Sequence, residues 1–428
     1  MAIASQKKIV IVGGGFAGMN LAKQLTDNDN FEIILIDKNN YNFFPPLIYQ
    51  VATGYLESSN ITYPFRKLFR GKKNFTFKMG EVQRVVPAEN KVELNTGTVL
   101  YDLLVFATGT QTNYFGMDNV QANSIPMKTV QNALYMRNKI LERLEEASRT
   151  SDPLERKKLL TVVVAGGGPT GVEISGMFSE IKKNIIPRDY PELIGSHGEI
   201  YLVDGVKTLL TPMSEKSQKY TYNTLTKMGV KIQLEALVKD YVDDVVYFAN
   251  GTTITTKTLI WAAGVTSIVF EGIPTECYGR GKRLIVDEFN KVVGTQNIYA
   301  IGDTCIQNTD PNFKDGHPQV AQVAIQQGKN LGKNLLRQIS GEILKPFLYH
   351  DKGSMAIMGR NKAVADLPSP KIHFNGFIAW IAWLFVHLLS IINYRNRLKT
   401  LSNWTVAYFT KDQSLRMIVK PDRELMKK

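Results

Sequence analysis

The feature that most constrains this sequence is a strand that runs into a glycine-rich turn and then into a helix. The chain contains it twice, as KIVIVGGGFAGMN (8–20) and as TVVVAGGGPTGVE (161–173). In both copies an apolar, β-branched run precedes the pattern GxGxxG, and the context of strand, turn and helix is the one that this pattern requires. Each copy therefore predicts the start of a βαβ unit with a parallel sheet.

The three glycines of each turn have different physical roles. In the first copy Gly13 permits the tight turn, Gly15 lets backbone N–H groups approach a pyrophosphate, and Gly18 lets the helix pack closely on the strand. The N-terminal end of the helix adds partial positive charge. The same positions in the second copy are occupied by Gly166, Gly168 and Gly171. A glycine-rich corner without a ligand is the alternative for either turn, and the presence of two copies weakens it.

An acidic residue that ends the second strand of such a unit can accept hydrogen bonds from a ribose. Asp37 ends the run FEIILID and lies 19 residues after Gly18, as expected, whereas Asp204 lies 33 residues after Gly171. The longer spacing indicates an insertion at 182–199. A carboxylate at Asp204 favours NADH over NADPH, although Lys207 nearby weakens that preference.

Two dinucleotide sites in one chain suggest hydride exchange between a bound flavin and a nicotinamide that comes and goes. The segments ATGT (107–110) and NIYAIGD (297–303) resemble those of flavoproteins with two dinucleotide-binding domains. That resemblance implies FAD at the first turn and NADH at the second. The predicted FAD-binding residues are Gly13, Gly15, Phe16, Ala17, Gly18, Asp37, Lys38, Gln50, Thr108, Gly109, Asp303, Val320 and Ala321. The predicted NAD-binding residues are Gly166, Gly168, Pro169, Thr170, Gly171, Glu173, Asp204, Ala263 and Gly264.

The cysteine content limits the classes of electron acceptor that the protein can use. Cys277 and Cys305 are the two cysteines, and they form no CxxC pair. A reductase that uses a redox-active disulfide needs such a pair, so that class is excluded, and the sulfide:quinone and peroxide-reducing relatives also need cysteines that are absent. We expect both cysteines to be packing residues in a reducing compartment, and we expect no metal site.

The stretch AQVAIQQG (321–328) matches the signature AQxAxQxG of the type II NADH dehydrogenases, which are single-subunit NADH:quinone oxidoreductases. The segments DKGSMAIMGRNKAV (351–364) and RNRLKTLSNWTVAYF (395–409) also resemble that family, as do VEISG and AAGV after the second turn. The resemblance covers essentially the whole chain. The insertion at 182–199 departs from the pattern, as does GMFSE (176–180), where a second acid is expected earlier in the helix.

Four residues are candidates for catalysis and quinone binding. Gln322 and Gln326 lie at i and i+4 on one helix face, so their amides can hydrogen-bond the flavin edge or a quinone carbonyl. Lys352 can offer a proton or a positive charge to a quinol oxygen. The resemblance places Glu173 near the nicotinamide, where it orients NADH or relays a proton. Each has a structural alternative: the glutamines lie on a solvated helix face, Lys352 is an ordinary surface lysine, and Glu173 only complements the helix dipole.

The C-terminal part combines an apolar run with basic charge. The run GFIAWIAWLFVHLLSIIN (376–393) has no Asp, Glu, Lys or Arg, and residues 371–428 contain ten Lys or Arg against three acids, a net +7. Amphipathic, aromatic and basic spacing continues to Lys411. The pattern predicts that residues 376–411 lie on a lipid surface; one true span or a soluble dimer contact are the alternatives. Nucleic-acid binding fits poorly, because the aromatics are packed with aliphatics.

The predicted fold class is α/β, with two Rossmann-like dinucleotide-binding domains and a C-terminal amphipathic helical segment that binds the membrane. We expect the FAD domain at 1–125 and 290–370, the NADH domain at 155–289 and the membrane region at 371–428. The predicted protein is a homodimer, peripheral on the cytoplasmic side of a bacterial inner membrane, with no leader before the first strand. It passes electrons from NADH through FAD to a quinone without pumping protons.

Other functions remain open from the sequence alone. A soluble NAD(P)H oxidase or a ferredoxin-type flavin reductase would not need the C-terminal region. A redox sensor would bind NADH with very slow turnover, and a membrane-anchored binding module with empty turns would be colourless.

Overall fold

The computed structural model describes residues 6–412 and 415–419. Its strands are β1 (Lys7–Val12), β2 (Phe31–Asp37), β3 (Tyr41–Phe43), β4 (Thr62–Pro64), β5 (Phe75–Met79), β6 (Val82–Val86), β7 (Lys91–Leu94), β8 (Gly97–Leu100), β9 (Leu103–Phe106), β10 (Gln111–Thr112), β11 (Ile125–Pro126), β12 (Val162–Ala165), β13 (Ile200–Val203), β14 (Val230–Gln233), β15 (Val238–Val242), β16 (Val245–Phe248), β17 (Thr253–Thr255), β18 (Thr258–Trp261), β19 (Val265–Thr266), β20 (Leu284–Val286), β21 (Ile298–Ala300), β22 (Cys305–Gln307), β23 (Ser354–Gly359), β24 (Lys362–Pro368) and β25 (Lys371–Asn375). Its helices are α1 (Phe16–Leu25), α2 (Ile48–Ala52), α3 (Ser58–Ile61), α4 (Phe65–Leu68), α5 (Asp118–Asn123), α6 (Val130–Arg149), α7 (Pro153–Leu160), α8 (Pro169–Asn184), α9 (Ile186–Asp189), α10 (Glu215–Lys227), α11 (Ala321–Ser340), α12 (Gly376–Ser390) and α13 (Tyr394–Thr410).

The chain forms two compact units, each assembled from separate segments. Unit 1 contains residues 1–43, 62–111 and 265–352, and unit 2 contains residues 44–61, 112–264 and 353–428. These boundaries differ from those of the cofactor-binding domains expected from the sequence, because residues 44–61, 112–125 and 353–370 belong to unit 2 and residues 265–289 belong to unit 1. The assignment of each domain to a cofactor stays a prediction. Residues 413–414 and 420–428 of the expected membrane region lie outside the described residues.

Unit 1 is built on a parallel sheet in the order β21-β9-β1-β2-β5. The central strand β1 pairs with β2 on one side and with β9 on the other, and its residues Ile9, Val10 and Ile11 are completely buried. Strands buried on both faces explain the continuous apolar runs in the sequence. The direction of chain progression reverses at β1, which is where ligands bind in open parallel sheets.

Helix α11 packs on α1 at very short range within unit 1. A Cβ atom at Gly328 would lie 2.4 Å from the carbonyl oxygen of Ala17, and one at Gly332 would lie 2.5 Å from Cβ of Gln24. The two glycines are one helical turn apart, so a whole face of α11 approaches the backbone of α1. This packing brings the AQVAIQQG segment to the side of the first glycine turn.

Unit 2 repeats the same sheet order, as β11-β18-β12-β13-β14, and all of these strands are parallel. The prediction of two Rossmann-like α/β sheets is therefore confirmed. Unit 2 also has an antiparallel sheet, β23-β24-β25, against which α8 packs closely. A Cβ atom at Gly176 would lie 1.9 Å from the carbonyl oxygen of Met358, so the helix touches the backbone of β23.

Most elements lie where the sequence predicts them. Helix α11 spans the expected 320–340 segment almost completely, and α6 matches 130–150. Helix α8 begins at Pro169, three residues before the expected Val172, because proline with its preset φ fits the first helical position. The apolar run 376–393 forms α12 and ends in a break at residues 391–393, after which the basic segment forms α13. Within residues 6–412 and 415–419, no helix has the length and apolar character needed to cross a bilayer.

Candidate functional site

The first glycine turn lies at the carboxyl end of β1, the central strand of unit 1. Gly13 has φ +101°, and a Cβ atom there would lie 2.4 Å from the carbonyl oxygen of Ala107. At Gly18 a Cβ atom would lie 2.0 Å from the carbonyl oxygen of Gly13. Both positions therefore exclude any side chain, as the sequence pattern predicts.

Gly15 differs from its neighbours because a Cβ atom built there meets nothing within 4 Å. It is the N-cap of α1, so the turn offers an open space in front of the N-terminal N–H groups of a helix. That is the geometry of a phosphate cradle, which a methyl group would fill. A dinucleotide such as FAD fits the residues present.

The other predicted FAD residues of unit 1 collect at the carboxyl ends of neighbouring strands. Asp37 follows β2, and its carboxylate accepts hydrogen bonds from the backbone N–H groups of Gly14 at 2.7 Å and Asn39 at 2.8 Å. Burial raises the pKa of Asp37, and these two N–H groups oppose that shift. Thr108 follows β9 and donates to the hydroxyl of Thr304 at 3.2 Å.

Asp303 lies in a short 3-10 turn after β21, at the same edge of the sheet. Its backbone carbonyl accepts hydrogen bonds from Gln319 at 2.9 Å and from Ser267 at 3.2 Å, which hold the turn in place. The remaining predicted residues of this unit have varied exposure: Ala17 is buried, Phe16 and Ala321 are half-buried, and Lys38 and Val320 are exposed, while Gly109 has φ +64°.

The second glycine turn, at the carboxyl end of β12 in unit 2, reproduces the first. Gly166 has φ +116°, and a Cβ atom there would lie 2.4 Å from the carbonyl oxygen of Ala262. Gly168 is the N-cap of α8, and a Cβ atom there meets nothing within 4 Å. Asp204 after β13 accepts a hydrogen bond from the N–H of Gly167. The long spacing before Asp204 therefore did not displace it from the position that Asp37 has in unit 1.

The remaining predicted NAD residues surround this turn. Pro169 and Thr170 lie in the first turn of α8. Gly171 packs against Gly166, since a Cβ atom at Gly171 would lie 1.8 Å from the carbonyl oxygen of Gly166. Ala263 and Gly264 follow β18, which pairs with β12. The ends of β18, β12 and β13 thus carry the predicted residues side by side.

The glutamines of the AQVAIQQG segment hold other parts of unit 1. The amide of Gln326 donates to the carbonyl of His350 at 2.8 Å and accepts from its N–H at 3.1 Å. Gln322 accepts from the N–H of Lys352 at 3.0 Å. The expected i, i+4 face is therefore present, and it anchors the segment that carries Lys352, whose side chain is exposed.

Gln327 is the glutamine that sequence reasoning did not select. It is almost completely buried, and its side-chain oxygen accepts a hydrogen bond from the N–H of Gly302 at 2.7 Å. The bond connects α11 to the turn that contains Asp303. The spacing of the motif did contain a signal, because Gln327 lies four residues after Val323 and four before Leu331, which are both buried on the same helix face.

Glu173 lies in the first turns of α8 and is buried to 8% exposure. Burial raises the pKa of its carboxyl well above the usual range, and a hydrogen bond from the N–H of Ile357 partly offsets this. The buried hydroxyl of Tyr49 also has a raised pKa, first because of burial and then because of the charge of Glu173. Glu173 can therefore hold a proton at a pH at which an exposed glutamate has lost it.

Gln50, which the sequence assigns to FAD, lies in unit 2 beside the C-terminal helices. Its amide donates to the hydroxyl of Tyr49 at 3.0 Å and accepts from the indole N–H of Trp404 at 2.7 Å. Two hydrogen bonds therefore join Tyr49, Gln50 and Trp404, and Tyr49 lies near enough to Glu173 for the charge of Glu173 to raise the pKa of Tyr49. Trp404 faces the protein, whereas the sequence pattern groups it with the aromatic residues of the lipid-binding surface.

Other polar groups of this region had no clear signal in the sequence. Glu180, part of the atypical GMFSE segment, accepts hydrogen bonds from Tyr55 at 2.9 Å and from the N–H of Arg360 at 2.6 Å. Both cysteines are free and buried, which confirms their prediction as packing residues. Burial raises the pKa of Cys305 to about 12, so its thiol stays protonated.

The C-terminal helices expose a large apolar surface. On α12, Ile378 is 65% exposed and Phe385 is 62% exposed, and on α13 Phe409 is 76% exposed. The exposed apolar residues of the two helices are Phe377, Ile378, Ile381, Phe385, Val386, Leu389, Tyr394, Leu398, Leu401, Val406 and Phe409. A contiguous surface of this kind is unusual in a monomeric soluble protein and marks an interaction site.

Comparison with known proteins gives two matching family models and several relatives. The model described as pyridine nucleotide-disulphide oxidoreductase matches residues 7–328, and the NDH2 C-terminal domain model matches residues 351–413. Two proteins of Mycobacterium tuberculosis, the type II NADH:quinone oxidoreductases NdhA and Ndh, are each 34% identical to this chain. These alignments cover 95% and 94% of this chain and 88% of each relative.

Among solved structures, NDH2 from Plasmodium falciparum in complex with NADH has the same fold. The TM-score is 0.87 at 21% sequence identity, and the match covers 97% of this chain and 100% of that chain.

Proposed function

Because the chain belongs to the type II NADH:quinone oxidoreductases, within the pyridine nucleotide-disulphide oxidoreductase family, we propose that it transfers two electrons from NADH to a quinone. The observation that carries this proposal is the pair of glycine turns, each with one open position, at Gly15 and Gly168. FAD, when bound, supplies an acceptor that can take a hydride and hold two electrons.

The proposed FAD site uses the carboxyl edge of the unit 1 sheet. Backbone N–H groups at Gly15 and Phe16 face the open space, where the helix α1 terminus stabilises the negative charge of a pyrophosphate. Asp37 is positioned to accept hydrogen bonds from ribose hydroxyls, because its carboxylate is held by Gly14 and Asn39. Thr108 and Asp303 complete the edge on the other side of β1.

The proposed NADH site is the corresponding edge of unit 2. Gly168 leaves room for the pyrophosphate, and Asp204 supplies a carboxylate that favours a free 2′-hydroxyl and repels a 2′-phosphate. Discrimination against NADPH therefore rests on the charge of Asp204, which Lys207 nearby weakens. Its hydrogen bond from Gly167 keeps that charge beside the turn.

Quinone reduction consumes one proton from solution for each NADH oxidised, and we propose two groups that deliver or stabilise it. Glu173 holds a proton because burial raises its pKa, and it lies near the hydroxyl of Tyr49, whose pKa its charge raises. Lys352 offers an exposed ammonium that Gln322 positions through its backbone N–H. Gln326 supports the same segment through His350.

Anaerobic stopped-flow tests this function on the purified holoenzyme. Mixing with NADH should bleach the flavin absorbance near ~450 nm, a typical flavin band, and a short-chain quinone should then restore it within turnover time. Recovery with oxygen alone, or with oxidised ferredoxin alone, would contradict quinone as the acceptor and favour the soluble oxidase or reductase. A colourless protein would contradict the FAD assignment.

We further propose that the apolar surface of α12 and α13 lies on a lipid bilayer, with the protein peripheral on the cytoplasmic side of a bacterial inner membrane. The exposed apolar residues of α12 lie away from the protein, since Ala379 and Trp383 are buried on the opposite face. Arg395, Arg397 and Lys399 add positive charge that anionic headgroups attract. The bilayer is also the phase in which quinones dissolve.

Vesicle sedimentation tests the lipid surface. Phe385→Asp should reduce binding to anionic vesicles by at least roughly tenfold, because a charge replaces an apolar contact in the interface. Met79→Asp is a matched control on an exposed residue of unit 1. Equal losses in the two variants would contradict the proposal. A homodimer is part of the same proposal, and sedimentation equilibrium decides between it and a monomer.

A further inference from the structure

Unit 2 contains a cavity of about 250 Å³ that has no part in the proposed FAD, NADH or quinone sites. It is lined by α6, α7, α8, the first residues of β12 and β13, and the insertion at 182–199. The apolar lining includes Ile140, Leu144, Phe178, Ile181, Leu193 and Ile194. The insertion, which departs from the family pattern, therefore forms one wall of a pocket.

The insertion is ordered by specific contacts. The hydroxyl of Tyr190 in the insertion donates a hydrogen bond to the carboxylate of Glu145 in α6 at 2.9 Å. Asp189 forms a salt bridge with Arg416 of the C-terminal segment at 2.5 Å. Arg188 donates to the carbonyl of Thr410, the last residue of α13, at 3.3 Å. The wall of the cavity is thereby tied both to the helix opposite and to the helix proposed to lie on the membrane.

The charges in the lining all have one sign. Lys182 and Arg143 line the cavity, and no Asp or Glu does. Lys182 donates to the carbonyl of Gly198, and the described residues give it no carboxylate partner; Arg143 pairs with Glu146 at 2.7 Å. An ammonium has three N–H donors, so a bond to one carbonyl leaves capacity for an anion.

We propose that this cavity binds a single alkyl chain that carries an anionic headgroup, with the chain among the apolar side chains and the headgroup at Lys182. An apolar cavity does not hold water well, and burial of methylene groups there is favourable. A quinone has no anionic group for Lys182. Ile194, 66% exposed in the lining, marks the side from which a chain enters.

Titration calorimetry tests the proposal on the holoenzyme in digitonin, a detergent without an alkyl chain. Dodecanoate should bind saturably at one site per chain, and dodecyltrimethylammonium, with the same chain and a cationic head, should bind at least tenfold more weakly. Lys182→Glu should weaken dodecanoate binding at least tenfold. Lys183→Glu is the matched control, because Lys183 is exposed, adjacent and outside the lining, and its affinity should stay within twofold.

Folding is checked by the flavin absorbance and the thermal midpoint of each variant. Lys182→Gln serves if Lys182→Glu fails to fold, since it removes the charge and keeps a donor for Gly198. A one-chain phosphatidylglycerol in place of dodecanoate separates a phospholipid source from a fatty acid, and saturable binding of either supports the site. The proposal would be overturned if dodecanoate binding did not saturate, or if the Lys182 and Lys183 variants bound it with equal affinity. It would also be overturned if the cationic chain bound equally well, or if decylubiquinone displaced dodecanoate competitively. NADH:quinone activity is measured separately, so loss of that function and loss of this site are distinguishable.

Discussion

Two single substitutions in the second glycine turn should have different effects: Gly168→Ala should weaken cofactor binding, and Gly166→Ala should lower stability. Gly168 has φ −73°, and the added Cβ meets nothing within 4 Å. Alanine fits this conformation without strain. Relative to glycine it lowers the entropy of the unfolded chain, which stabilises the protein, and it is a poorer N-cap, which destabilises it. Each effect is about 1 kcal/mol or less, so the two offset each other. We therefore expect Gly168→Ala to fold with unchanged stability.

The same substitution should weaken NADH binding strongly. The methyl group takes the space in which a pyrophosphate approaches the helix terminus, and one lost charge-assisted hydrogen bond costs about 1.5–3 kcal/mol. That free energy corresponds to roughly a ten- to hundredfold loss of affinity. Gly166→Ala should behave differently, because φ is +116° and the Cβ would lie 2.4 Å from a carbonyl oxygen. The backbone cost of about 1–2 kcal/mol and an overpacking cost of about 1–3 kcal/mol add to roughly 2–5 kcal/mol of lost stability.

The assay combines thermal unfolding with stopped-flow flavin bleaching at increasing NADH. Gly168→Ala should keep the wild-type melting temperature and its FAD, and should need roughly tenfold or more NADH for half-saturation. Gly166→Ala should melt several degrees lower, at about 2–4 °C per kcal/mol for a unit of this size class. If Gly168→Ala reached half-saturation at the same NADH concentration as the wild type, the second turn would not be the NADH-binding turn. Wild-type stability of Gly166→Ala would refute the steric reasoning.

Three further predictions concern single side chains. Asp204→Asn should raise kcat/KM for NADPH relative to NADH roughly tenfold, or about 1.4 kcal/mol, because the repulsive charge is removed; steady-state kinetics with both nucleotides measures it. The pKa of Glu173 is raised in the folded protein above 4.5, so its contribution to stability is present below that pH and is lost as pH rises through the folded-state pKa. The melting temperature of the wild type relative to Glu173→Gln should therefore fall as pH rises above 4.5, and a pH-independent difference would contradict it. Gln326→Ala should slow flavin reoxidation by quinone roughly tenfold and leave bleaching by NADH unchanged, because it frees the segment at His350; stopped-flow separates the two steps.

Local features of this protein were accessible from the sequence because they depend on few residues. The sign of φ at Gly13 and Gly166, the start of α1 and α8, and the acids at the ends of β2 and β13 follow from residue types at short spacing. Parallel strands with right-handed crossovers then leave little freedom in the sheet order. Even Asp204, after a long insertion, reached its expected position because its strand pairs with β12.

The roles of particular side chains depended on partners distant in the chain. Gln50 and Trp404 are separated by 354 residues, and the sequence pattern placed Gln50 at the flavin and Trp404 among lipid-facing residues. Three glutamines in one short segment look equivalent, yet Gln327 is buried against Gly302 while Gln322 and Gln326 hold the chain at 350–352.

The pKa of Glu173 and the cavity beside the insertion were likewise decided by tertiary structure alone. A carboxylate at a helix start is usually solvated, whereas this one is buried and accepts a hydrogen bond from the N–H of Ile357 in β23. Sequence spacing sets which residues share a turn or a face. Burial and the empty volume between helices arise from packing of segments far apart in the chain, and no local pattern encodes them.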